Sequence, residues 1–228
     1  MDRIEDHQGG LLFVGNHDRQ FEFVALMSYL ARIGRTTMKN IIKFYVEGQV
    51  DWALGQVGRD ITLPVYPRLL ATDRRNKLNA ELGSRLLFRR QLITTAESEQ
   101  RTSATLTRAA DELAASGVVN IFPSGSIVNN MHHPWRSGVG RIVCELPESE
   151  QENVLVVPYH ADDINRARLV AAVALRGQGP LARQQSIGLQ FGEPVPMSTI
   201  FAGLPEGLHS DPTAVTEVIR ERYIGSLG

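Results

Sequence analysis

The sequence predicts an α/β fold, a mostly parallel central sheet flanked by helices, in a single domain over residues 1–228. Three observations predict it. Apolar runs of strand length recur along the chain, segments of helical periodicity lie between them, and no repeat or linker rich in Gly, Ser or Pro divides the whole. The composition agrees: 228 residues, 43% hydrophobic and 21% charged, are those of an ordinary globular chain. A domain of this size buries roughly 70% of its unfolded surface, so its core needs no disulfide or metal staple.

The elements follow in order. Leu11-Leu12-Phe13-Val14 reads as the first strand, and Phe23, Val24, Leu26, Met27 and Leu30 carry a helix over about 19–33. A strand over 41–46, a helix over about 48–57 and a strand over 61–65 come next. Leu78, Leu82 and Leu86 repeat at i+4 within a helix over about 73–90, and a further helix covers about 97–116. Val118-Val119-Asn120-Ile121-Phe122 is a strand, about 136–146 a helix, and Val154-Leu155-Val156-Val157 a strand. The apolar run Leu169 to Leu175, bounded by Arg168 and Arg176, is a buried strand or helix segment, too short to span a membrane. Ser186 to Phe191 alternates as a sixth strand, and Asp211-Pro212, a capping residue before a first-turn proline, opens a last helix over about 211–225.

Charge and cysteine usage exclude several classes. Lys plus Arg is 24 against 25 Asp plus Glu, a net charge of −1, which disfavours a protein that wraps nucleic acid. The single Cys144 excludes an intramolecular disulfide framework and a Cys-based zinc cluster, and fits a reducing compartment. Met1 to Gln8 lacks the apolar core of a signal peptide, and no stretch has the length of a membrane span. The expected location is the cytoplasm, with peripheral membrane contact left open.

In parallel sheets the working residues collect where strands end. The first strand runs through Gly15 into Asn16-His17-Asp18, and Glu22 follows about one turn inside the next helix. A carboxylate there reaches back to an imidazole at the helix mouth, fixes its tautomer and stabilises its protonated form. Such a histidine is a general base for a hydroxyl or amine. The plainer alternative makes Asp18 a helix cap, His17 a polar turn residue and Glu22 a surface charge.

Asn-His, four residues and an acid after a buried strand resembles the first motif of the glycerophosphate and lysophosphatidic-acid acyltransferase superfamily. The later landmarks appear in order: Lys43 after Ile41-Ile42, then Ile61-Thr62-Leu63-Pro64-Val65-Tyr66-Pro67-Arg68, then Ile121-Phe122-Pro123-Ser124-Gly125-Ser126. Trp135-Arg136-Ser137-Gly138 is similar to the basic segment after the third motif, and Val154-Leu155-Val156-Val157-Pro158 to the fourth. The resemblance covers roughly residues 9–197. It implies the glycerol-3-phosphate acyltransferase-like fold, with His17 and Glu22 catalytic and Asn16, Arg68, Ser124, Gly125 and Ser126 binding substrate. It implies an acyl thioester as co-substrate, carried by coenzyme A or acyl carrier protein, with no metal and no other cofactor.

Three departures qualify what the resemblance implies. Glu22 stands for the usual Asp, and its extra methylene still permits a hydrogen bond to histidine. Ser124 and Ile127 stand where the third motif carries Glu and Arg, so part of the positive charge that grips a phosphorylated acceptor is missing. His17 lies close to Met1, without the preceding helices of membrane-bound relatives, which makes a soluble hydroxyl or amine acceptor credible. The alternatives are a non-catalytic module that binds acyl chains or a carrier protein, and a thioester hydrolase.

Arg74, Arg75, Lys77, Arg85, Arg89 and Arg90 make the stretch after Arg68 basic. They form either a solvated helical face or a docking surface for an acidic carrier protein, coenzyme A phosphates or anionic headgroups. His132-His133 is read as loop, because adjacent imidazoles diverge and no ligand spacing accompanies them. His160-Ala161-Asp162-Asp163 is read as a loop after the fourth-motif strand, and Cys144 as a core residue.

Overall fold

The computed structural model describes residues 2–15, 22–35, 38–43, 62–65, 95–124, 134–162 and 188–227. Its strands are β1 (Gly10–Gly15), β2 (Lys39–Lys43), β3 (Thr62–Val65), β4 (Val118–Ile121), β5 (Val154–Asp162), β6 (Gly188–Phe191) and β7 (Val195–Pro196). Its helices are α1 (Asp2–Glu5), α2 (Glu22–Arg32), α3 (Thr95–Ala114), α4 (Gly138–Glu145), α5 (Met197–Ala202) and α6 (Pro212–Leu227). The helices expected over 48–57 and 73–90, and the run 169–175, lie outside the described residues.

The strands form one sheet in the order β3-β2-β4-β1-β5-β6, with β7 also pairing β5. From β3 to β5 every neighbouring pair is parallel, whereas β6 and β7 run antiparallel to β5. The protein is therefore α/β, with a mixed, mostly parallel sheet. Both faces of the parallel part are covered, which is why its strands read as nearly continuous apolar runs. Leu12, Val14, Val119, Ile121, Val154 and Val156 face a core completed by α3, α4, α5 and α6. Leu11, Phe13, Val118, Leu155, Val157 and Tyr159 turn to the other face, where Ile4 of α1 and Leu26, Tyr29 and Leu30 of α2 cover them.

Several helix ends are set by short-range chemistry. Asp211 caps α6 as expected, its Oδ1 accepting the Thr213 N–H at 2.9 Å with Pro212 between them. Helix α2 ends in a Schellman turn: Gly34 sits at φ 78°, and the Arg35 N–H reaches the Leu30 carbonyl at 2.9 Å. Helix α3 ends in the same way, with Ser116 at φ 61° and the Gly117 N–H on the Glu112 carbonyl at 2.8 Å.

Two expectations are corrected. The strand 154–157 with a following loop is one strand, β5, that passes through Pro158 and includes His160, Ala161 and Asp162. Proline is tolerated because β5 exchanges one partner set for another there: its Val154–Tyr159 stretch lies on β1, and from Tyr159 it pairs with β6. The strand expected over 41–46 starts two residues earlier, since β2 begins at Lys39 and takes in Asn40, while 44–46 lie outside the described residues. Asn40 belongs there because its side chain, buried in the sheet, has a polar partner on β4.

Candidate active site

The register brings the ends of the motif-bearing strands to one edge of the sheet. Val14 of β1 is level with Ile121 of β4 on one side and with Pro158 of β5 on the other. Asn40 of β2 is level with Asn120 of β4, so Lys43 closes β2 on the same edge, paired with Val65 of β3. Each of these strands except β5 ends there, and the chain then continues into the segments holding Asn16-His17, Arg68 and Ser124.

Of the expected site residues, Glu22 and Ser124 are described. Asn16, His17, Arg68, Gly125, Ser126, the basic residues Arg74, Arg75, Lys77, Arg85, Arg89 and Arg90, the pair His132-His133, and Asp163 lie outside the described residues. Glu22 is in the first turn of α2 and is fully buried, which overturns its reading as a surface charge. A carboxylate in a helix's first turn gains from the macrodipole, yet its complete removal from water costs several kcal/mol unless polar or cationic groups answer it. Ser124 is half-buried beyond β4. The Arg136 N–H donates to the Pro123 carbonyl at 2.9 Å, which ties the segment Trp135-Arg136 to the exit of β4.

A buried polar chain, not foreseen from the sequence, crosses the sheet on the α2 face. The Tyr159 hydroxyl of β5 donates to Asn120 Oδ1 of β4 at 2.9 Å, and Asn120 Nδ2 donates to Asn40 Oδ1 of β2 at 3.0 Å. Tyr159 and Asn120 are fully buried and Asn40 nearly so. To reach β4, the tyrosine must pass over β1, and it does so across Gly15, its own register partner. A Cβ at Gly15 would run into Cε1 and Cζ of that ring and stand 2.8 Å from its hydroxyl. The missing side chain at the end of β1 is the space the ring occupies.

Burial, and after it the Glu22 carboxylate, push the Tyr159 phenol well above its ordinary range, against the smaller pull of the Asn120 hydrogen bond; Tyr223 adds to the rise. Tyr159 is thus a neutral donor. Phe13 and Phe122 pack around its ring, at centroid distances of 6.0 and 6.5 Å. One signal for the chain was present in sequence: an asparagine inside an apolar strand, at Asn120, is out of place unless it bonds to another polar group, whereas Asn40 lay outside the expected strand.

Cys144 is half-buried against the core formed with α3 and α6, and its Sγ lies 3.4 Å from the His209 carbonyl as donor. Burial, then Asp211 and Glu145, raise its thiol, the opposite of what a nucleophile needs. Among the described residues no three of His, Cys, Asp and Glu gather as metal ligands, and no helix is long and apolar enough to cross a membrane. No model of a known protein family and no curated protein matches the chain.

Proposed function

We propose that this protein is an acyltransferase with the fold of the glycerophosphate and lysophosphatidic-acid acyltransferases, moving an acyl group from a thioester to a hydroxyl or amine. The observation that carries the reading is the complete burial of Glu22 in the first turn of α2, the helix that follows β1, where β1, β2, β3 and β4 all end at one edge of the sheet. On this reading the carboxylate serves the imidazole of His17, which stands five residues before it in the sequence.

On this reading His17 takes the proton of the acceptor, whose oxygen or nitrogen attacks the thioester carbonyl carbon. The tetrahedral oxyanion collapses with rupture of the C–S bond, and the leaving thiolate takes the proton from the imidazolium. Glu22 orients the imidazole and stabilises its charge. Hydrogen-bond donors of Ser124, Gly125 and Ser126 stabilise the oxyanion, and Asn16 and Arg68 bind substrate. No cofactor beyond the thioester takes part. The donor is coenzyme A or an acyl carrier protein, drawn by the basic stretch Arg74 to Arg90, in the reducing cytoplasm where Cys144 stays a free thiol. Without the Glu and Arg of the third motif, the acceptor is a small alcohol or amine in place of lysophosphatidic acid.

Intact-mass assays with acyl-coenzyme A and acyl-carrier protein, each with lysophosphatidic acid or a pool of small alcohols and amines, test the proposal. His17→Ala lowers transfer by about 10²–10⁴. Glu22→Gln lowers it by about tenfold or more, with the protein still folded. Donor consumption that releases free acid in place of ester or amide identifies a hydrolase. No His17-dependent turnover from any donor leaves a binding module and refutes the enzyme.

A further inference from the structure

Resting on the proposed use of His17, we infer that Tyr159 is a positioning residue: held by Asn120 and Asn40, its ring seats the end of β1, from which the chain leads on to His17 two residues later. The ring lies across Gly15, the last residue of β1 and two before His17, and occupies the space a side chain there would need. Its hydroxyl is anchored two strands away, on Asn120, at 2.9 Å, and Asn120 is anchored in turn on Asn40 at 3.0 Å. Side chains thereby connect β5, β4 and β2 across the end of β1, in addition to the backbone ladder.

Packing alone does not call for this arrangement. A phenylalanine at 159 would fill the same volume, and apolar residues at 40 and 120 would suit strands buried on both faces. The hydroxyl and the two carboxamides add direction: a hydrogen-bonded ring cannot slide along the strand as an apolar one can. Among the described residues the titratable groups that bear on Tyr159 are Glu22 of α2 and Tyr223 of α6, so the phenol also stands within the field of the carboxylate assigned to support His17.

The test uses the full chain and two readouts. One is turnover of the thioester that the wild type consumes. The other is the rate at which diethyl pyrocarbonate modifies His17, located by peptide mass, with the remaining histidines as internal reference. Tyr159→Phe keeps the ring and releases it from Asn120. Gly15→Ala keeps every hydrogen-bonding group and displaces the ring, so it serves where Tyr159→Phe fails to fold. In either variant kcat falls by about 10- to 100-fold at unchanged KM for the donor, as misplacement of a reacting group requires. His17 modification slows by about threefold or more, toward the rate of Glu22→Gln, because an imidazole no longer held against its carboxylate is a poorer nucleophile. Unchanged kcat and unchanged His17 reactivity in folded variants overturn the inference and leave the acyltransferase standing. Slower His17 modification in the variants, beside a wild type that turns over no donor, upholds the inference and overturns the acyltransferase.

Discussion

Replacing Asn120 by leucine tests the buried polar chain as a source of stability. The substitution keeps most of the volume and removes two hydrogen bonds at once, the 2.9 Å bond from Tyr159 and the 3.0 Å bond to Asn40. Each buried group that loses its partner costs about 1–3 kcal/mol, so Asn120→Leu should cost about 2–6 kcal/mol before any return from the apolar side chain. Tyr159→Phe alone deprives only Asn120 Oδ1 of its donor and should cost about 1–3 kcal/mol. In the double variant both ends of the Tyr159–Asn120 bond are gone and only Asn40 has lost a partner. The double variant should therefore be less destabilised than the sum of the singles by about 2–6 kcal/mol, the cost of two buried groups left without partners. Urea denaturation at constant m-value measures all four proteins, and at this chain length each kcal/mol corresponds to about 2–4 °C in Tm. Strict additivity, with a coupling under about 0.5 kcal/mol, would show that the two side chains do not interact and would refute the argument.

Arg35 donates to the carbonyls of His7, Gly9 and Ser116 at 3.0, 2.7 and 3.0 Å, tying the approach to β1, the end of α2 and the α3–β4 turn together; Arg35→Met should cost about 2–3 kcal/mol in chemical denaturation. Ser116 holds a left-handed φ of 61° that glycine adopts without strain, so Ser116→Gly should stabilise by about 0.5–1 kcal/mol, and a lower Tm would contradict that. Burial first, then acidic neighbours, raise Tyr159 and Tyr29 above the ordinary 10.0. The unfolded chain then releases these protons before the folded one, so their contribution is intact below about pH 10 and is lost as the pH rises through the folded values. Tyrosinate absorbance at 295 nm should show these two ionising only with unfolding, and Tyr159→Phe should flatten the alkaline loss of stability.

The α/β class was legible because strands covered on both faces are apolar almost throughout: Leu11 to Val14 and Val154 to Val157 are wholly so, and Val118 to Ile121 is broken only by Asn120. The cap at Asp211-Pro212 was legible because it is chemistry between near neighbours. The extension of β5 past Pro158 was not, since a proline after four apolar residues reads locally as a stop, and what carries the strand onward is pairing with β6, 26 to 32 residues away in sequence. The site divides in the same way. Glu22 could be placed near a helix start from spacing, but its burial depends on the sheet beneath it. Tyr159, Asn120 and Asn40 come from three strands with no common spacing, and only the order β2-β4-β1-β5 brings them into one line.

If the chain is the acyltransferase proposed above, that line also explains how its first motif can follow the family's pattern while its third does not. Asn120 lies within β4, and Ser124 and Ile127 come after the strand has ended. The side chain that anchors Tyr159, and through its ring the end of β1, is thus separate from the residues that depart from the acyltransferase pattern. Loss of a Glu and an Arg beyond Ile121 removes acceptor-binding charge without removing a bond of the Tyr159–Asn120–Asn40 chain. On the proposed reading, acceptor preference and base placement then vary independently. Restoring the third-motif charges by Ser124→Glu and Ile127→Arg should alter acceptor selection toward phosphorylated alcohols while His17 modification by diethyl pyrocarbonate keeps its wild-type rate. A changed His17 rate in that variant would show the two functions to be coupled through β4 and would sink the separation argued from the strand.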